Sequence, residues 1–236
     1  MVFGLPLRER LSVAVLSPHL DDGVLSLGAS IVEAVRAGHK VSVITVFAGD
    51  TRSENGAGDW DRRAGFATEG EAARRRMDED RTACDVLGAS PVWLPFADNQ
   101  YRRQRDADEV WSRLTEAIQG EDAVLVPGRP LIHPDHLWLT RLVLERGLES
   151  SRVGAYAELP YDLWASADKR RHAPSSTPDL PRNWFAPRVT VRSRLAKWSA
   201  AGAYSSQLPW LGRGFSYRRA LLQSRLGGER VAWQAS

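Results

Sequence analysis

At 236 residues, 43% hydrophobic and +3 in formal charge, the chain has the length for one α/β domain with an elaborated C-terminal part. No run approaches the roughly 20 apolar residues of a membrane span, the start Met1-Val2-Phe3-Gly4-Leu5-Pro6 lacks the order of a signal peptide, and a single cysteine, Cys84, excludes an intrachain disulfide and points to a reducing, cytoplasmic setting. The cations are nearly all Arg, with Lys40, Lys169 and Lys197 the only lysines, and they interleave with Asp and Glu without a basic stripe, which argues against a nucleic-acid partner.

In chain order, Ser12 to Leu16 reads as a buried strand. A helix starting at Asp22 or Ser26 runs to about Ala37 and stops at Gly38, with Leu27, Ile31, Val32 and Val35 on its apolar face. Val41 to Phe47 is the second strand, which closes a βαβ unit with a parallel pair. Residues 48–67 lack apolar periodicity and read as a long loop of functional size. A helix over 68–88 ending at Gly88, a short strand over Pro91 to Phe96, a helix over 106–119 and a strand over Ala123 to Val126 follow. Helix signals resume from about His136 to Gly147, and Val153 to Leu159 is the fifth strand. After Pro160 the pattern weakens: the proline-rich stretch from His172 to Pro187 reads as a covering loop, Val189 to Val191 as a short strand, and Ser193 to about Tyr204 as a helix. The tail from Pro209 onward has no clear pattern, and there is no internal repeat. The order of elements gives an α/β, Rossmann-like three-layer fold with a mostly parallel sheet, a core over about residues 10–160 and an irregular C-terminal elaboration over about 161–236, all as one domain.

Three of the five histidines fall in two short clusters. Pro18-His19-Leu20-Asp21-Asp22 follows the first strand, and His133-Pro134-Asp135-His136 follows the fourth. Ligands in open parallel sheets bind outside the C-terminal ends of the strands, so both clusters belong on one edge. Two His and one Asp meeting there make a three-ligand metal site with an open position. The second Asp of the first cluster is then free to act as a base. An Asp pair at a helix start is often only a cap, and a His-Pro-Asp-His run is often only a surface turn. Both together, each directly after a parallel strand, make coincidence a poor account. Nine tryptophans are either core filler or platforms for sugar rings.

The chain resembles the PIG-L/LmbE-like family of zinc-dependent N-acetylglucosaminyl de-N-acetylases. The first family motif reads here Pro18-His19-Leu20-Asp21-Asp22, with Leu20 for the commoner Pro and Gly23 where many members carry Glu. The second, His133-Pro134-Asp135-His136, is intact. Arg76, Glu79, Leu87 and Gly88 fit the spacing of a family helix, Asp98 follows the next strand, and Lys197, Ser206 and Gln207 match late positions, so the resemblance spans about residues 12–207. It implies that His19, Asp22 and His136 bind Zn2+, with Fe2+ or another divalent metal as an alternative. It implies that Asp21 is the general base and that His133, oriented by Asp135, stabilises the oxyanion. Arg76 and Asp98 would contact sugar hydroxyls.

The implied activity is hydrolysis of the acetamide of an N-acetylglucosamine-type conjugate to a free amine and acetate. A soluble natural-product intermediate is the expected substrate, and loops 48–67 (with Trp60) and 160–187 (with Trp164 and Trp184) are the expected selectivity walls. The alternatives are a non-catalytic metal- or sugar-binding protein on the same fold, or a deacylase for a different acyl group. A nucleotide-dependent transferase is disfavoured because no Gly-x-Gly-x-x-Gly follows the first strand.

Overall fold

The computed structural model describes residues 3–4, 10–148, 152–164, 179–209 and 228–234, with the side chains of Leu163 and Trp164 outside that description. Among the described residues the sheet has six strands in the order β3-β2-β1-β4-β5-β6. These are β1 (Ser12–Ser17), β2 (Lys40–Thr45), β3 (Ser90–Trp93), β4 (Ala123–Pro127), β5 (Arg152–Tyr156) and β6 (Val231–Trp233). All neighbours run parallel except β5 and β6.

The helices are α1 (Asp22–Arg36), α2 (Asp59–Arg63), α3 (Glu69–Leu87), α4 (Ala107–Ala117), α5 (Pro134–Arg146), α6 (Tyr161–Trp164) and α7 (Val191–Ala201). Alternation along the strands builds two apolar layers. Val13, Val15, Val41 and Leu125 pack against Leu27 and Ile31 of α1, Cys84 and Leu87 of α3, and Ala200 of α7. Ala14, Leu16, Ile44 and Val124 pack against Val110 and Leu114 of α4 and Leu139 and Val143 of α5. This is the expected three-layer α/β arrangement.

The central strand β1 pairs with β2 on one side and β4 on the other, so the chain reverses its direction of travel across the sheet between β1 and β4. Val13 lies opposite Ala123 and Val15 opposite Leu125, which brings the C-terminal ends of β1 and β4 side by side. That edge is where a doubly wound sheet leaves a crevice.

Local signals explain most boundaries. The Thr68 side chain accepts the Glu71 N–H to start α3, and Gly88, left-handed at φ 74°, ends it. Asp106 caps α4 by accepting from Asp108 and Glu109. Three expectations change. The strand over Val189 to Val191 is absent, because Thr190 and Ser193 form a capping box that starts α7 at Val191. The loop over 48–67 contains α2, whose first residues Trp60 and Asp61 donate their N–H groups to Gln100 Oε1. The tail supplies β6, three residues too short to show a period. The expected loop from His172 lies outside the described residues up to position 178, and so does most of the tail.

Candidate active site

The turn from β1 into α1 is wound tightly. Ser17 Oγ accepts the Gly23 N–H at 2.8 Å and donates to the His19 carbonyl at 2.5 Å, and the Asp21 N–H donates to the same carbonyl at 2.9 Å. A Cβ at Gly23 would stand 3.3 Å from Ser17 and Val15 atoms, which favours a residue without one beside the Asp pair. The turn directs His19, Asp21 and Asp22 over the strand ends. On the other side, Pro134 opens α5 and His133 caps it, accepting the Asp135 N–H on Nδ1 at 3.3 Å.

Three atoms then converge. Asp22 Oδ2 lies 3.1 Å from His19 Nδ1 and 3.1 Å from His136 Nε2, and the two nitrogens are 3.3 Å apart. Ligands about 2.0–2.1 Å from a tetrahedral ion stand roughly 3.3–3.4 Å from one another. The other nitrogen of each ring is committed to a carboxylate: His19 Nε2 donates to Asp135 Oδ2 at 2.8 Å, and His136 Nδ1 to Glu158. With both imidazoles neutral, each turns its lone pair toward Asp22 Oδ2. Three acceptors facing one another are then satisfied by a cation among them, as they are by ring protons when the imidazoles are charged. The His–carboxylate pairs are the outer support that metal-binding imidazoles normally have. A wider grouping of ligand atoms from His19, His133 and His136 lies within 4.8 Å, but the triangle that includes Asp22 is tighter and carries the charge. The residues fit a divalent metal such as zinc.

The electrostatics agree. Burial opposes charge on His136, yet Asp22 and Glu158 outweigh it and lift the imidazole pKa to about 9. Burial likewise opposes charge on His19, and hydrogen bonds to Asp135 and Asp22 override it upward. A field that negative holds a cation as readily as a proton. His133 goes the other way, down to about 3, through burial and then the neighbouring His19 and His136. Burial and the adjacent Asp22 push the Asp21 carboxyl up to about 7. The Asp21 carboxylate has no hydrogen-bond partner among the described residues and lines a cleft of about 290 Å³ with His19, His133, Arg76 and Asp98.

The two expected substrate contacts differ in freedom. Buried Arg76 pairs in charge with Asp61, but its Nε has no hydrogen-bond partner among the described residues. Asp98 caps the short 3-10 turn at 99–101, binding the Gln100 backbone at 2.8 Å and its side chain at 2.7 Å. Trp60 lines the cleft, donating Nε1–H to Gln207 Oε1 at 3.0 Å. Trp184 instead stacks on Arg129, 4.9 Å from guanidinium to ring. Trp164 falls outside the described side chains.

No hydrogen bond joins the Asp135 carboxylate to His133: its Oδ2 stands 3.9 Å from His133 Nδ1, which already accepts a backbone N–H. The carboxylate is spent on His19, the Asn99 N–H at 3.0 Å and Arg105. Three site residues escaped the sequence reading. Glu158, just past β5, holds His136 and accepts the Leu131 N–H at 2.8 Å. A carboxylate at the C-terminal end of another parallel strand was a usable signal. Tyr161 lines the cleft with its ring edge-on to His136 at 5.8 Å. Arg105 had no signal of spacing or periodicity.

Comparison with known proteins places this geometry. A family model described as "PIG-L: GlcNAc-PI de-N-acetylase" matches residues 14–146. Among solved structures, the A40926 pseudoaglycone deacetylase Dbv21 is 28% identical at a TM-score of 0.77, covering 95% of this chain and 97% of that one. A triple mutant of the deacetylase Orf2, described as acting in the teicoplanin biosynthetic pathway, is 27% identical at 0.76, with the same coverage of each chain. The 4-carboxy-2-hydroxymuconate hydratase GalB of Pseudomonas putida KT2440 is 18% identical at 0.64, covering 96% and 97%, and shares the fold alone. A comparison with curated proteins gave no match. No described helix is long and apolar enough to cross a membrane. More than half of the chain matches the family model, and both histidine motifs meet in one cleft: the chain belongs to the PIG-L family of de-N-acetylases.

Proposed function

We propose that the protein removes the acetyl group from an N-acetylglucosamine-type unit of a small natural-product intermediate, releasing acetate and a free amine. The observation that carries this is the triangle of His19, Asp22 and His136 with the Asp21 carboxylate, unpartnered among the described residues, beside it. A binding protein needs the triangle but not Asp21. Two solved structures above 25% identity are described as an A40926 pseudoaglycone deacetylase and a deacetylase of the teicoplanin biosynthetic pathway, which supports a soluble glycoside as the substrate class. We read residues 1–236 as one deacetylase domain with no nucleic-acid partner, and the lone Cys84 fits a cytoplasmic home.

His19, Asp22 and His136 would hold the ion. A divalent metal there makes water more acidic and polarises a carbonyl. Asp21 takes the proton from the attacking water. His133 is a neutral donor: with Nδ1 accepting the Asp135 N–H, its proton sits on Nε2, ready for the acetamide oxygen as it gains charge. Asp21 then returns the proton to the leaving nitrogen, and His133 stays neutral throughout. Arg76, Asp98 and Trp60 line the cleft where the sugar would lie.

The test is metal content with acetate release from a panel of N-acetylglucosamine conjugates. Wild type should bind about one metal per chain and release acetate. His136→Ala should lose both, and a His136→Ala protein that still turns over would exclude this centre. Shortening residues 52–64, which removes Trp60 and its bond to Gln207, should change the ranking of substrates. An unchanged ranking would take that loop out of specificity.

A further inference from the structure

Arg105 lies outside both histidine motifs, on the segment leading into α4. Its guanidinium sits over the Phe47 ring at 4.1 Å and faces Trp138 at 5.3 Å. From that seat it binds Asp135 Oδ1. The other oxygen, Oδ2, receives His19 Nε2–H at 2.8 Å and the Asn99 N–H at 3.0 Å. Asp135 is fully buried and Arg105 is partly buried, its side chain 16% exposed, so this is not a fully solvated surface pair. A carboxylate can rotate about its bond to Cβ. Arg105 on one oxygen and Asn99 on the other fix that rotation, and the fixed oxygen aims the His19 ring. The aromatic walls hold the guanidinium plane, which suits Arg and not Lys.

We propose that Arg105 is a positioning residue of the metal centre, acting through Asp135 on His19. This rests on the metal-dependent reading given above. Asp135 then serves the ion's ligand rather than the oxyanion donor, and Arg105 extends the centre to the edge of α4. His136 has a separate support in Glu158, so the two imidazoles are held by independent arms.

The experiment measures the Zn2+ dissociation constant by chelator competition for wild type, Arg105→Ala, Arg105→Lys, Asp135→Asn and the double variant Arg105→Ala/Asp135→Asn. Thermal unfolding of each metal-free protein is followed in parallel. Loss of an outer support typically weakens metal binding by about 10- to 100-fold, and Arg105→Ala should fall in that range. Arg105→Lys, which keeps the charge but loses the fork and the stacking, should recover part of it. The double variant should bind no more weakly than Asp135→Asn alone, because Arg105 acts through that carboxylate. Folded Arg105→Ala with wild-type zinc affinity would overturn the proposal, as would losses that multiply in the double variant. Should Arg105→Ala fail to fold, Arg105→Lys decides: undiminished affinity there counts against positioning. Wild type that binds no zinc would overturn the metal-dependent reading itself, a result distinct from an Arg105 variant that matches wild type.

Discussion

Replacing Asp21 by Asn should cut turnover by about 10²- to 10⁴-fold, the usual worth of a positioned general base, while metal content stays near wild type. Asn keeps the size and polarity of the side chain but cannot take a proton. Asp21 stands outside the triangle whose edges are 3.1, 3.1 and 3.3 Å, so the ligand set survives the change. Acetate release against metal content separates the outcomes. An Asn variant with a tenth or more of wild-type turnover would remove Asp21 from the chemistry. Parallel loss of metal and turnover would make it a ligand instead.

The second large effect is on stability. Lys197 and Glu229 form an ion pair at 2.6 Å with both side chains buried. Glu229 also accepts the backbone N–H groups of Ala29 at 3.0 Å and Ser30 at 2.9 Å, in the middle of α1. Lys197 passes over Gly28, where a Cβ would stand 2.8 Å from its Cγ, and reaches the Ser26 carbonyl at 3.4 Å. Burial draws the Lys197 pKa down against the pull of Glu229, so the ammonium depends on its partner. Glu229→Gln leaves that charge unpaired and should cost about 3–5 kcal/mol. For a chain of this size that lowers Tm by roughly 6–20 °C. Lys197→Met with Glu229→Gln leaves no lone charge and should recover part of the loss. A Glu229→Gln melting point within a degree or two of wild type would show the pair to be dispensable.

The core of the fold was legible because its signals are local and repeated. Gly38 and Gly88 stop helices, Asp106 caps one, and apolar strands alternate with amphipathic helices, which is enough to order β1 through β5. The triangle was legible for a related reason: two short motifs each follow a strand, and parallel topology sends strand ends to one edge. What escaped depends on contacts between distant residues. Arg105 meets Asp135 across 30 positions, and Glu158 meets His136 across 22. No periodicity encodes such a pair. Adjacency in sequence to His133 suggests a contact with the Asp135 carboxylate, whereas the helix cap brings the Asp135 backbone N–H to that ring. Lys197 could be marked by resemblance, but its meaning lay with Glu229, 32 residues on. Trp60 and Trp184 looked alike as loop tryptophans. Only the bond of Trp60 to Gln207 and the stacking of Trp184 on Arg129 tell them apart.

The reach of Glu229 to Ala29 spans 200 positions, and it governs the order in which the protein is built. The ribosome releases the β1–α1 turn well before the segment that braces α1. Contacts so far apart in the chain close late. The nascent chain therefore carries both histidine motifs long before the helix behind them has its brace. Zinc capture during synthesis should lag behind the exposure of its ligands, and a stalled chain ending before residue 229 should be the protease-sensitive species in pulse-labelling.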